Sequence, residues 1–479
     1  MKCKSTAKPN LFGLLAFLTL IFPCGGAFHK SQAESLSQLA IFMRCYAQFT
    51  QLRASSTDPL YAAVASGSMT AVDACMAVFD RARLTVGART ISNPADPVAK
   101  AVINNFHNLH ASWFQTKVFP STFGGGPEIN NRDLFDSSNP AAYYTKALFG
   151  PSIQASFVVT TPQYLRIVRT DNDPAAGVST YTKPDYVFGS AIKFAARGDM
   201  IGVEELSRQI WNFSYTVNAT NAVRSGSVAV NDTRGGGFLG SQDYILATVD
   251  EVSTFKASGG LGMPRKWARS LFHDALCRDL PAVRQADGNS FVAPTSTVEF
   301  RQTANCVKCH ASIDRASSVI RNFKYELVAS SILVTPRWGG FFADRHPTDM
   351  PAETGWPSTV DANYYRRPTG GTFYYRSYNG ALVNVPINSV QDLGNQIANT
   401  NDFYVCIAKR YYQYFTGIDA DIGDLGDPEH GALSAEHLIH RNIIIGLGVS
   451  LKTHQNLRTL VRDIINHPRY RLSDFGLLD

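Results

Sequence analysis

The sequence predicts a mainly α-helical fold with minor β content, and three observations carry that reading. Apolar residues recur at helical spacing through the N-terminal third and again towards the C-terminus. Between residues 151 and 250 the pattern changes to β-branched runs broken by Gly and Asn. The chain has 479 residues, 44% of them hydrophobic and 18% charged. That composition argues against disorder and fibrous repeats and leaves room for two or more domains with a sizeable core.

The first ten residues carry Lys2, Lys4 and Lys8 and no acid, and an apolar run from Leu11 to Phe22 follows. This is the layout of a signal peptide, and the run is too short for a comfortable membrane span. Residues 1–27 are the expected leader, with Gly25-Gly26-Ala27 as the small residues before the cut and Ala33 as a later alternative. Cys24 raises the alternative of a lipid anchor, although Pro23 directly before it weakens that case. The expected location is therefore periplasmic or secreted, with no integral membrane span. Without its leader the chain loses three lysines, so its 45 basic residues fall to 42 against 39 acidic ones. No nucleic-acid footprint remains in that balance.

Residues 28–150 form a helical region, with apolar stripes at Leu36 to Leu52, Ala71 to Leu84 and Val98 to Phe119. Residues 151–250 read as mixed α/β and loop-rich. Strands are expected at Phe157 to Thr160, Tyr164 to Val168 and Val228 to Val230, and a helix near Val203 to Trp211. Gly235-Gly236-Gly237 is a tight turn or hinge rather than a phosphate loop, because no Lys-Ser/Thr follows it. In residues 251–385 a helix is expected from Pro264 to Cys277, another through Ile313 to Leu327, and irregular chain from Trp338 to Thr372. Residues 386–479 return to helices at Val390 to Ala398, Phe403 to Phe415 and His454 to Ile465.

Cys306-Val307-Lys308-Cys309-His310 matches C-x-x-C-H, the attachment signature of c-type haem. Two residues between the thiols set them across one helical turn, at the separation of the two haem vinyl groups. The following His then projects under the macrocycle as an iron ligand. Eight cysteines and eleven histidines placed at random would produce this pattern about 0.003 times in a chain of this length. A redox disulfide and half of a zinc site are the structural alternatives, but no second C-x-x-C completes four ligands. One covalent haem c is the expected cofactor, held by Cys306, Cys309 and His310.

For the second axial position the sequence offers Met350, forty residues after His310 in Thr348-Asp349-Met350-Pro351-Ala352. His346 is its rival in the same loop, and a vacant distal position is the third alternative. Cys45, Cys75, Cys277 and Cys406 remain, an even number that permits two disulfides in three connectivities. The pairing favoured is Cys45 with Cys75, on neighbouring helices, and by elimination Cys277 with Cys406. His107 and His110 share a helical face, as do His437 and His440, but such pairs are more often packing than metal ligands. The glycosylation sequons at Asn212, Asn218 and Asn231 carry little weight in a bacterial-type chain.

Several motifs occur in a recognisable order. Gly236-Gly237-Phe238-Leu239 precedes Tyr244 to Thr248, then comes Pro264-Arg265-Lys266-Trp267 running to Leu276-Cys277, then Cys306 to His310 with Ala311-Ser312-Ile313-Asp314. Asp392-Leu393, Phe403 to Gly417 and Leu457 to Tyr470 follow. From about residue 233 to 479 this succession resembles the Planctomycete-type cytochrome c-like family, exported proteins with one C-x-x-C-H motif flanked by uncharacterised modules. Arg315 stands where that family has Pro, and Trp338 to Thr372 has no clear counterpart in it. The resemblance implies a cytochrome c-like haem segment embedded between helical modules, and it implies no particular substrate.

The expected function is an exported monohaem c-type cytochrome acting in electron transfer or as a redox module, with an unknown redox partner. The alternatives are a haem-dependent oxidoreductase or peroxidase-like enzyme with an open distal site, and a binding protein whose haem is structural. No Ser-His-Asp order, paired-carboxylate motif or dinucleotide fingerprint supplies another catalytic set.

Overall fold

The structure, a computed structural model, describes residues 34–85, 89–114, 138–170, 199–206, 210–217, 222–229, 234–248, 263–296, 299–329, 338–344 and 366–475. The N-terminal helices are α1 (Gln38–Thr50), α2 (Pro59–Ala65), α3 (Ala71–Asp80), α4 (Pro97–Ser112) and α5 (Asn139–Phe149). Four of the five start at side chains that accept backbone N–H bonds: Ser37, Asp58, Thr70 and Asp96. Their apolar faces meet in an aromatic cluster. Phe79 lies 5.5 Å from Phe49, 5.3 Å from Phe106 and 4.8 Å from Phe149, ring centre to ring centre.

Two short antiparallel sheets and one four-stranded sheet supply the β content. After the single helical turn α6 (Phe157–Thr160), β1 (Tyr164–Arg169) pairs with β2 (Met200–Leu206). The buried Arg166 and Glu204 form an ion pair across these two strands, and Arg89 adds a second bond to Glu204 at 3.0 Å. β3 (Ile210–Val217) and β4 (Ala222–Ala229) join β5 (Phe323–Ala329) and β6 (Trp338–Asp344) in the order β4-β3-β5-β6. This sheet draws strands from both sides of residue 250. β7 (Gly371–Arg376) and β8 (Leu382–Ile387) form a separate hairpin.

The remaining helices are α7 (Gln242–Thr248), α8 (Met263–Leu276), α9 (Gln285–Asn289), α10 (Ala304–Ala316), α11 (Val390–Asn399), α12 (Asn401–Thr416), α13 (Ala435–His454) and α14 (Leu457–Asn466). α12 is buried on nearly every side, from Phe403 and Tyr404 through Tyr411 and Tyr412 to Phe415, as a central core helix is. Phe415 reaches the N-terminal cluster, 6.0 Å from Phe49. One hydrophobic cluster therefore runs from Ile41 to Tyr470 and holds most of the buried apolar side chains. The architecture is mainly α with minor β.

Both expected disulfides form. Cys45 and Cys75 link α1 to α3 with Cα atoms 6.1 Å apart, and Cys277 and Cys406 tie the end of α8 to α12 at 5.2 Å, separations suited to a disulfide. Gly235, Gly236 and Gly237 all have positive φ, 70°, 70° and 60°, and make the expected tight turn. No helix among the described residues is long and apolar enough to cross a membrane.

Several local expectations are corrected. Val203 to Trp211 spans the end of β2 and the start of β3 rather than a helix, because β1 and β4 pair with those strands. Phe157 to Thr160 is a helical turn rather than a strand, and Phe323–Ala329 is a strand paired with β6 rather than the tail of a helix. Part of the irregular stretch from Trp338 is strand β6, and the expected helix at His454 to Ile465 divides into the end of α13 and most of α14.

Candidate functional site

α10 begins at Ala304, and its first two turns carry Cys306, Cys309 and His310. Val307, Ala311, Ile313 and Ala316 are buried and hold the helix down. Positions i, i+3 and i+4 share a helix face, so Cys306, Cys309 and His310 lie together on the less buried side. Cys306 is exposed, Cys309 is half-buried, and both are free thiols.

His310 is oriented on two sides. Its Nδ1 lies 3.0 Å from Oδ2 of Asp314, one turn further along α10. The Asp314 carboxylate accepts here, so Nδ1–H is the donor and Nε2 is the ring nitrogen left to serve as a ligand. Phe300 stacks on the imidazole, with ring centres 3.9 Å apart and planes inclined by 18°. The Nε2 lone pair points within the imidazole plane, so a ring stacked on its face does not lie on that axis.

Asp314 is itself clamped by Arg265 of α8, which donates Nε to Oδ1 at 2.6 Å and Nη2 to Oδ2 at 3.1 Å. The same guanidinium carbon lies 4.9 Å from the Phe300 ring centre. Burial pushes the Asp314 carboxyl towards a higher pKa, but the bonds from His310 and Arg265 outweigh it and hold the group below the usual carboxylate range. Asp314 is thus an anion bonded to the imidazole.

Burial raises the Cys309 pKa, with Lys308 only partly opposing it. Lys308 is drawn to Glu429 at 2.7 Å. Arg315 occupies an aromatic slot, 4.3 Å from the Phe291 ring centre and 5.4 Å from that of Tyr374. It also places a cation in the last turn of α10, where the helix dipole favours one.

Two unbridged thiols on one helix face and one imidazole with a directed Nε2 form a donor set that fits a c-type haem. Met350 and His346 lie outside the described residues, as do the leader and Cys24. Asn218 and Asn231 also lie outside them, while Asn212 is on β3. The other histidine pairs are not brought into metal sites. His110 bonds Thr145 at 2.9 Å and Tyr411 at 2.7 Å, both buried, and His440 bonds Tyr412 at 2.8 Å while its neighbour His437 is exposed. Among the described residues no group of three or more His, Cys, Asp or Glu is arranged to hold a metal ion.

Asp314, Arg265 and Phe300 were not singled out as site residues by the sequence. Asp314 carried a usable signal, an acid four positions after a histidine on a helix. Arg265 is 49 residues away and Phe300 precedes the helix, so neither has a local signature. No family model matches this chain, and no curated protein or solved structure matches it either.

Proposed function

We propose that this chain is an exported monohaem c-type protein, similar to the Planctomycete-type cytochrome c-like family, that acts as an electron carrier or redox module. The observation that carries the reading is the pairing of free Cys306 and Cys309 thiols with a His310 whose Nδ1 is already engaged by Asp314. The disulfides strengthen it. Cys45, Cys75, Cys277 and Cys406 are consumed in pairs, as suits an oxidising compartment, and among the described residues the two motif thiols are the ones left over.

In this reading Cys306 and Cys309 would hold the group covalently and His310 would bind its iron through Nε2, with Met350, His346 or a vacant position as the alternatives for the second ligand. When bound, a c-type haem supplies a one-electron iron couple. Asp314 keeps the proton on Nδ1 and its own negative charge beside the ring, which makes the imidazole a stronger donor. Arg265 fixes the carboxylate and Phe300 fixes the ring, so little rearrangement is needed when electrons come and go. Val307, Ala311 and Ile313 seat α10 on the core and keep water from that side.

Thiol alkylation of the denatured, fully reduced chain tests the assignment, because a thioether survives reduction and a disulfide does not. Protein exported by a host with haem-c maturation should alkylate at Cys45, Cys75, Cys277 and Cys406 and not at Cys306 or Cys309. The same chain from a host without that machinery should alkylate at Cys306 and Cys309 as well. Alkylation of Cys306 and Cys309 in the matured protein would rule out attachment.

A further inference from the structure

Away from α10, a groove of about 430 Å³ opens between the C-terminal end of α4, the end of α8 and α12, lined by residues that include Trp113, His273, Lys409, Arg410 and Tyr414. Arg410 is only 8% exposed. It donates Nη2 to the His273 carbonyl at 3.0 Å, and its guanidinium carbon lies 5.4 Å from the Trp113 ring centre. Its Nη1 is buried with no hydrogen-bond partner. A buried charged donor left unmet is costly, so this guanidinium calls for an acceptor. Burial also lowers the Arg410 pKa, against the pull of Tyr144, Asp274 and Tyr244.

Beside it, His273 is held by a buried carboxylate. Its Nδ1 lies 2.8 Å from Oδ1 of Asp274, which is wholly buried and whose Oδ2 accepts from Tyr244 at 3.0 Å. The imidazole is fixed by this pair while it lines the groove. Lys409 is already neutralised by Asp419 at 2.9 Å, and Asp279 also lines the wall. A second groove of about 500 Å³ shares Cys277, Asp279, Lys409 and Asp419 with the first and reaches Glu429, the partner of Lys308 in the C-x-x-C-H segment.

We propose that the first groove binds a small organic carboxylate, paired with Arg410, contacted by His273 and bounded by the Trp113 and Tyr414 rings. The planar guanidinium fork suits a carboxylate, and the aromatic walls suit an apolar body attached to it. With Lys409 and Asp419 paired, the charge of Asp279 on the lining disfavours a multiply charged anion such as phosphate. The proposal is independent of haem attachment.

Calorimetric titration of the full chain with phenylacetate tests it, with phenylacetamide as the uncharged control. Saturable binding in the millimolar range or tighter is expected, with the amide weaker by at least roughly tenfold. His273→Gln should weaken binding and Arg410→Gln should abolish it, each with its melting transition checked. If Arg410→Gln fails to fold, Arg410→Lys, which keeps the charge and loses the fork, should still weaken binding. Absence of saturable binding, equal binding of the amide, or affinity unchanged in both the His273 and Arg410 variants would overturn the proposal.

Discussion

The Asp314 carboxylate is bonded on both oxygens, by Arg265 and by His310, so its charge is fixed beside the imidazole. In the proposed haem protein that charge favours the oxidised iron. Asp314→Asn should therefore raise the reduction potential, read by redox titration of the loaded protein, and should lower stability by about 1–3 kcal/mol because Arg265 loses its partner. An unchanged potential would remove Asp314 from the role of positioning residue. A second residue-scale effect comes from His107, whose burial, helped by Arg169, pushes its pKa down to about 3. The unfolded chain takes up this proton near about pH 6.5 and the folded chain does not. The stability contributed by neutral His107 is thus fully present above that pH and is lost as pH falls towards about 3. His110 is shifted in the same direction by burial and by His107. Denaturation midpoints should fall as pH is lowered through this window, and His107→Gln should flatten the slope if the account is right.

Among the elements, α12 and α13 are in close contact at Gly448, where an added Cβ would stand 2.5 Å from the Val405 Cα. Gly446 on the same helix faces open space. Gly448→Ala should cost about 1–3 kcal/mol through forced separation of the helices, and Gly446→Ala should stabilise by up to about 1 kcal/mol through helix propensity. Equal effects in urea melts would contradict this packing. The same elements show what the sequence could reveal. α1, α3, α4, α8, α11 and α12 were legible because their stripes are apolar and local. α13 was not, since its buried side is made of His440, Arg441, Ile444, Gly448 and Leu451, which carries little apolar periodicity. Val203, Leu206 and Ile210 mimic helical spacing, yet Val203 pairs with Ile167 and Ile210 with Ala229, contacts set by chain segments outside any local window.

At the scale of the molecule, the N-terminal helices pack directly against the segment from α14 to Leu472. Ser35 bridges to Leu472, Arg44 donates to the carbonyls of Tyr470 and Leu472 at 2.8 and 2.9 Å, and Arg458 grips Asp80 through both carboxylate oxygens. The proposed haem helix rests on this body through α8, whose first turn carries Arg265 and whose end is tied to α12 by the Cys277–Cys406 disulfide. The C-x-x-C-H motif was legible because it is compressed into five residues. The clamp around it was not, since Arg265 and Phe300 reach it only through the tertiary fold. The most direct measurement is the optical spectrum of protein exported by a host with haem-c maturation, recorded oxidised and reduced after acid-acetone extraction. The account expects a sharp reduced α-band that survives extraction and disappears in the Cys306→Ala, Cys309→Ala double variant. A chain that retains no haem, with Cys306 and Cys309 joined as a disulfide, would contradict it.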